Sequence, residues 1–428
     1  MQLEDALYIF NGHKFIDFIE VDKFKHDIQK KWEISEEVQE FSFAEYYEYL
    51  YENLSSDFEE VGKIFFENIL YSHLKNIFVE KISAHPNLKV KHFKERVKQL
   101  ITEINIKESI PPDIQRLMSE NGFYLMDLLN ITTPNTTFIA GFDYEEENGI
   151  IINARFLFVE VASKKSGGQV YFLAGIEIDF KSKVALTMVK NILGLQKDEK
   201  NASTTIHQIH KNAIQKIFNI LGVSLQKPDV KSDRAGMFDL CKELDDNLLD
   251  DLRNDVNTRT DKAIKGSVKN LNKVLFNIPG DTLTMADKKD LGKKISSLLL
   301  SYYIEYKVSP MDLVRKAKKS NLIGYPTRVN FTSNKSSKSS TQSTNAKYPV
   351  SASDMFHSLY FNFEQALGLD SWSLSWFTDY KFNDEKDIDV IQTTIYSTSN
   401  QFRIVFLPDR PLNKEIIHYV IKTINSYR

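Results

Sequence analysis

Acidic side chains in a β-patterned stretch offer the first chemistry. From Tyr171 to Lys181, alternation places Glu177, Asp179 and Lys181 on one face, with Phe172, Ala174, Ile176, Ile178 and Phe180 on the other. Asp179-Phe180-Lys181 has the acid-x-Lys form of many metal-dependent nucleases. Two carboxylates can hold Mg²⁺ while a nearby lysine stabilises charge or orients water. Glu160, between Val159 and Val161, and Asp143, closing an earlier strand, are further potential ligands. Catalytic candidates are therefore Glu160, Glu177, Asp179 and Lys181, and metal candidates are Asp143, Glu177 and Asp179. The competing expectation is structural: the wet face of a half-solvated antiparallel sheet with local ion pairs.

Positive charge supplies the second signal. The 41 residues from Leu313 to Ser353 contain no Asp or Glu but eight cations: Arg315, Lys316, Lys318, Lys319, Arg328, Lys335, Lys338 and Lys347. The whole chain has a formal charge of -3, so the remainder carries -3 minus 8, or -11. Such asymmetry points to an anionic partner, either nucleic acid or an acidic protein. Arg315, Lys316, Lys318, Lys319, Arg328, Lys335 and Lys338 are the expected nucleic-acid contacts. Cations at a helix end also complement the helix dipole, so a solvated helix end followed by a soluble loop is the alternative.

Other constellations are weaker. His207 and His210, three apart on a helical pattern, lack the additional ligands of a zinc site. The single Cys241 excludes an intrachain disulfide, and its acidic neighbourhood disfavours a thiolate nucleophile. Trp372, Trp376, Phe377 and Tyr380 read as core aromatics rather than a base-stacking platform. No Gly-x-x-x-x-Gly-Lys loop, Gly-x-Gly-x-x-Gly turn or Gly-x-Ser-x-Gly elbow is present.

The elements that must position these residues follow from periodicity. Residues 1–135 read as a helical region, with one helix from Phe58 to Ile82 opened by a Ser56–Glu59 capping box. Residues 136–329 read as a β-meander plus helices. Strands are expected over 138–142, 149–161, 169–180 and 183–188, with turns at Asn148-Gly149 and Gly167-Gly168. Helical spacing then resumes from Ser203 to Ala317. It includes an acidic helix over 240–252 with Asp245, Asp246, Asp250 and Asp251 outward, a break at Pro279-Gly280 and a buried helix over 289–306. Residues 330–350, rich in Ser, Thr, Asn and Lys, read as a flexible loop. Residues 351–428 read as a small α/β segment, with helices over 353–367 and 413–426 and strands over 388–396 and 402–407. The fold class is α+β: a helical N-terminal region, a central antiparallel meander with flanking helices, and a small C-terminal α/β segment.

Within that last segment, Thr393 to Ser399, Phe402 to Leu407 and Pro411 together resemble a strand–turn–helix block of primase-type replication proteins. Those proteins pair the block with an upstream acidic pair and a His in the Ser-rich strand. This strand has no His, so the resemblance carries no family assignment.

The N-terminus lacks a signal-peptide layout and the apolar runs are too short to span a bilayer, so a cytoplasmic protein without membrane contact is expected. The leading expectation for function is a protein binding nucleic acid or an acidic partner. Lys-, Asn- and Ile-rich usage is consistent with a subunit of a bacterial mobile-element or antiviral defence assembly. Alternatives are a Mg²⁺-dependent nuclease using the meander carboxylates, and a non-catalytic scaffold or oligomer. Whether the chain is an enzyme stays open at this point.

Overall fold

The computed structural model describes residues 8–104, 110–118, 122–196, 203–276, 283–332, 338–343, 345, 347–407 and 410–428. The expected break at Pro279-Gly280 and the candidate Lys335 lie outside them. The chain is α+β, and every strand pairing among the described residues is antiparallel. It divides into two compact units, one of Met1–Pro228 with Asp409–Ile417 and one of Asp229–Pro408 with His418–Arg428. No helix among the described residues is long and apolar enough to cross a membrane.

The first unit begins with five helices: α1 (His13–Ile16), α2 (Val21–Gln29), α3 (Glu36–Gln39), α4 (Phe43–Asn53) and α5 (Phe58–Ser72). Strand β1 (Asn76–Ala84), helices α6 (Val90–Ile104) and α7 (Pro112–Leu117), and strand β2 (Phe123–Tyr124) follow. The expected helix over 58–82 is therefore half helix and half strand. Ile77, Phe78, Val79 and Ile82 suit either period, and antiparallel pairing to residues 184–189 selects the strand. The expected cap also differs: Asp57 is the N-cap of α5 and makes no side-chain cap bond.

The meander comes next as β3 (Thr137–Glu147), β4 (Ile150–Ser163), β5 (Gln169–Asp179) and β6 (Val184–Val189). These strands pair in chain order, as expected. Asn148 and Gly149 both adopt positive φ (54° and 74°), the twist a two-residue hairpin needs. Helix α8 (Ile206–Leu221) and the short β7 (Ser224–Leu225) close this stretch. Phe172, Ile176 and Ile178 are buried as expected, but the sheet is not half-solvated. Its Glu177 face is covered by α5, where a Cβ on Gly175 would meet Leu70 and Leu74. The opposite face is covered by α6, through Phe93 against Phe142, and by α8, through His210 against Phe78.

The second unit opens with α9 (Val230–Leu275), whose 46 residues extend about 69 Å at 1.5 Å per residue. Helices α10 (Met285–Lys307) and α11 (Pro310–Lys319) follow, then strands β8 (Gly324–Thr332) and β9 (Lys338–Gln342). Helix α12 (Asp354–Glu364) precedes β10 (Leu369–Phe377), β11 (Val390–Thr398) and β12 (Gln401–Phe406). The last helix, α13 (Lys414–Asn425), has its first residues in the first unit and the rest in the second, and starts where the Asn413 side chain accepts from the Ile416 amide at 2.8 Å. These strands run β12-β11-β10-β8-β9. Two expectations change here. The expected loop supplies the β8–β9 pairing, with Thr332 opposite Lys338. Helix α10 is largely exposed, Tyr302 and Tyr306 included.

Backbone proximity makes one glycine of this sheet indispensable. A Cβ on Gly324 would lie 2.0 Å from the Ser375 carbonyl oxygen, an atom fixed in the ladder. Gly324→Ala must therefore part β8 from β10. We expect a lower thermal midpoint for the second unit, monitored by the near-ultraviolet dichroism of Trp372 and Trp376, which are buried in this sheet's core.

Candidate nucleic-acid interface

The meander carboxylates do not converge. Asp143, Arg155 and Glu177 are direct partners across β3, β4 and β5 and form one row beneath α5. Arg155 Nε donates to Asp143 at 2.7 Å, its Nη2 pairs with the same carboxylate, and its Nη1 donates to Glu67 at 2.6 Å. Tyr71 donates to Glu177 at 2.8 Å and Tyr124 to Asp143 at 2.8 Å. Burial opposes charge on the guanidinium, but adjacent Asp143 outweighs it and holds Arg155 above the ordinary arginine pKa. Burial, then Glu177, pushes the Tyr71 phenol well up. The row is thus a structural ion and hydrogen-bond network, with Glu177 only 3% exposed.

The remaining catalytic candidates lie elsewhere. Glu160 is buried on the opposite face, beneath α8, accepting from the Ser203 backbone and hydroxyl. Asp179 accepts from the Ser182 amide at 2.8 Å and shapes the β5–β6 turn. Lys181 is exposed and pairs with Glu147 at 3.3 Å. Among the described residues no group of three or more His, Cys, Asp and Glu side chains is arranged to hold a metal ion. His210 is stacked on Phe78 and 3.4 Å from Glu80. Burial, followed by Asp245 and Asp246, pushes the Cys241 thiol well up.

The basic stretch separates into paired and unpaired cations. Lys318 is not a surface cation: it is 0% exposed and binds the Asp379 carboxylate at 3.0 Å. The reason is amphipathicity, because Lys318 shares the inward face of α11 with Val314 and Ala317. Arg315 pairs with Asp312 at 3.3 Å, and Lys316 pairs with Asp251 of α9. Lys319, Arg328, Lys338 and Lys347 are exposed. The expected outward acids of α9 also divide, since Asp245 is 1% exposed and held by Arg253 at 2.5 Å.

Arg328 and Lys338 fall together on a surface that the linear sequence conceals. Register places Gln342, Arg328, Ser373 and Thr394 in one cross-strand row. Ser340, Asn330, Ser371, Tyr396 and Arg403 form the next row, and Lys338 with Thr332 a third. Side chains two apart share a face, so these residues point the same way. The alternate positions, including Val329, Phe331, Trp372, Leu374, Ile395 and Ile404, are buried against helices. This face is polar and basic: Arg328, Lys338, Ser340 and Gln342 are exposed. Ser373 and Thr394 are buried and hydrogen-bonded to each other at 3.0 Å. None of the residues in these rows is Asp or Glu, although Asp370 accepts from Thr332 at 3.0 Å.

Arg403 is the focus of this face. Its guanidinium sits 5.0 Å over the Tyr396 ring. Its Nε is buried with no hydrogen-bond partner, and no carboxylate pairs with it among the described residues. Burial draws its pKa below the ordinary arginine value. A half-buried guanidinium with no carboxylate paired to it among the described residues, beside a hydroxyl-rich surface, attracts an anion from outside. Arg403 and Tyr396 were not expected as site residues. The available signal was that β11 and β12 alternate without any acid on one face.

Comparison with protein families, characterised proteins and solved structures finds no match for this chain.

Proposed function

We propose that this protein binds single-stranded nucleic acid across the outward face of β8 to β12. The observation that carries the reading is that Arg328, Lys338 and Arg403 share one face among hydroxyl and amide side chains, while Asp370 at its margin is held by Arg234 and Thr332. Phosphates would meet the three cations, while a base stacks on the Tyr396 ring beside Arg403. A sheet face favours a single strand, whose unstacked bases can spread over it; a duplex presents only its backbone there.

Fluorescence anisotropy with labelled polypyrimidine RNA and DNA tests this. Arg328→Gln, Lys338→Gln and Arg403→Gln together should abolish most binding. The slope of log affinity against log salt should become shallower by about 0.7 per lost single-strand phosphate contact. Tyr396→Ala should cost about 1–3 kcal/mol at all salt concentrations, because stacking releases no counterions. Absence of binding by the parent protein at low salt, or full binding by the triple variant, would remove nucleic acid from this face.

A further inference from the structure

The second unit holds a cleft of about 1390 Å³ between α9, α10 and α12. We propose that it is a docking groove for an acidic amphipathic helix of a partner protein, separate from the sheet face.

The first support is that α12 already occupies one end of this groove. Ser297 of α10 donates to the His357 carbonyl of α12 at 2.6 Å. Arg253 of α9 sits 4.5 Å over the Tyr360 ring, and Lys294 of α10 lies 4.7 Å over Phe361. Glu364, at the end of α12, pairs with Lys293 at 3.4 Å. The seat therefore accepts a helix that presents aromatic side chains and carboxylates. Beyond Glu364 the groove continues between α9 and α10, and no described residue fills it.

The second support is charge complementarity along that open continuation. Lys265, Lys269 and Lys273 recur every fourth residue of α9 and so form one stripe. Lys288 and Lys289 of α10 line the facing wall. Only Lys265 of these five has an ion-pair partner among the described residues, Asp261 at 2.7 Å. The groove also has an apolar component: half-buried Ile264 beside Gly292, and Met285, which is 83% exposed, with Val268 buried in the floor. A phosphate backbone would use the lysines and leave this apolar strip wet. An amphipathic helix uses both, burying its apolar stripe while its acidic flanks meet the lysines. From Asp261 to Lys273 the open part of the groove runs roughly 18 Å, the length of a helix of about twelve residues.

The test uses the full chain and a fluorescein-labelled peptide of that length, with Leu and Phe on one helical face and Glu on the other. Saturable anisotropy is expected. Lys265→Glu, Lys269→Glu and Lys273→Glu together should weaken it by about tenfold or more. A peptide with the same apolar face but Lys for every Glu should bind the parent protein equally weakly, a comparison that needs no protein variant. The Arg328→Gln, Arg403→Gln protein should bind the acidic peptide as the parent does, which separates this groove from the sheet face. Indifference to the peptide's charge, or no saturable binding at low salt, overturns the proposal. So does an oligonucleotide that displaces the peptide and depends on the same three lysines, because that result assigns the groove to nucleic acid.

Discussion

Arg155→Met is expected to destabilise the first unit by about 3–5 kcal/mol, the range for breaking a buried ion pair from one side. Arg155 is 3% exposed and is the cation in the row that joins Asp143, Glu67 and Glu177. Methionine approximates the length of the lost chain, so the dominant loss is electrostatic. Asp143 would keep only the Tyr124 hydroxyl among the side-chain donors described above, and its repulsion from Glu67 would go unopposed. Hydrogen exchange of β4 and β5 measures the effect without interference from the second unit. Arg155→Lys should lose less, because it keeps the charge but not the two-pronged contact with Asp143. Unchanged protection in Arg155→Met would show that the row contributes nothing net.

The second large effect is a pH dependence centred on His357 of α12. Burial is the main cause that lowers its pKa to about 4, and nearby Arg253 acts in the same direction. Its Nε2 lies 2.8 Å from the Ser351 carbonyl, which suits a neutral ring donating from that nitrogen. The ordinary value is about 6.5, so the unfolded chain takes up the proton first as pH falls. Stability from this group is complete above about pH 6.5 and is lost as pH drops toward 4, by about 3 kcal/mol. His357→Gln keeps a donor for Ser351 but cannot titrate. Urea midpoints of parent and variant should therefore converge as pH falls from 6.5 to 4. Parallel profiles across that window would mean that His357 takes up its proton alike in the folded and unfolded states, and would exclude the linkage.

The amino-acid sequence alone determined the local elements with strong period or turn chemistry. The β3–β6 meander followed from two positive-φ hairpin turns and from alternation, and α8 and α13 followed from apolar stripes, the latter with Asn413 as its cap. Those signals are local, because they depend on residues within a few positions of one another. Trp372 and Trp376 were legible as core because large aromatics usually pack inside, although the strand that carries them, β10, was not expected.

Tertiary structure decided whatever depended on a neighbour distant in the chain. Residues 76–84 could satisfy either period until β6 supplied a ladder partner. Glu177 looked solvent-facing by alternation and is buried because α5 covers that side of the sheet. Lys318 looked like one cation of a run and is buried because its face of α11 packs inward, with Asp379 present to receive its charge. The acid-free stretch was visible from composition, but it did not reveal which cations remain unpaired. Arg328 and Lys338 share a face with Arg403 and Tyr396 only because β8 pairs with both β9 and β10 while β11 pairs with β10 and β12. Charge composition is additive along a chain, whereas a binding face is made by register. Register, in turn, is set by burying one side of every strand at once.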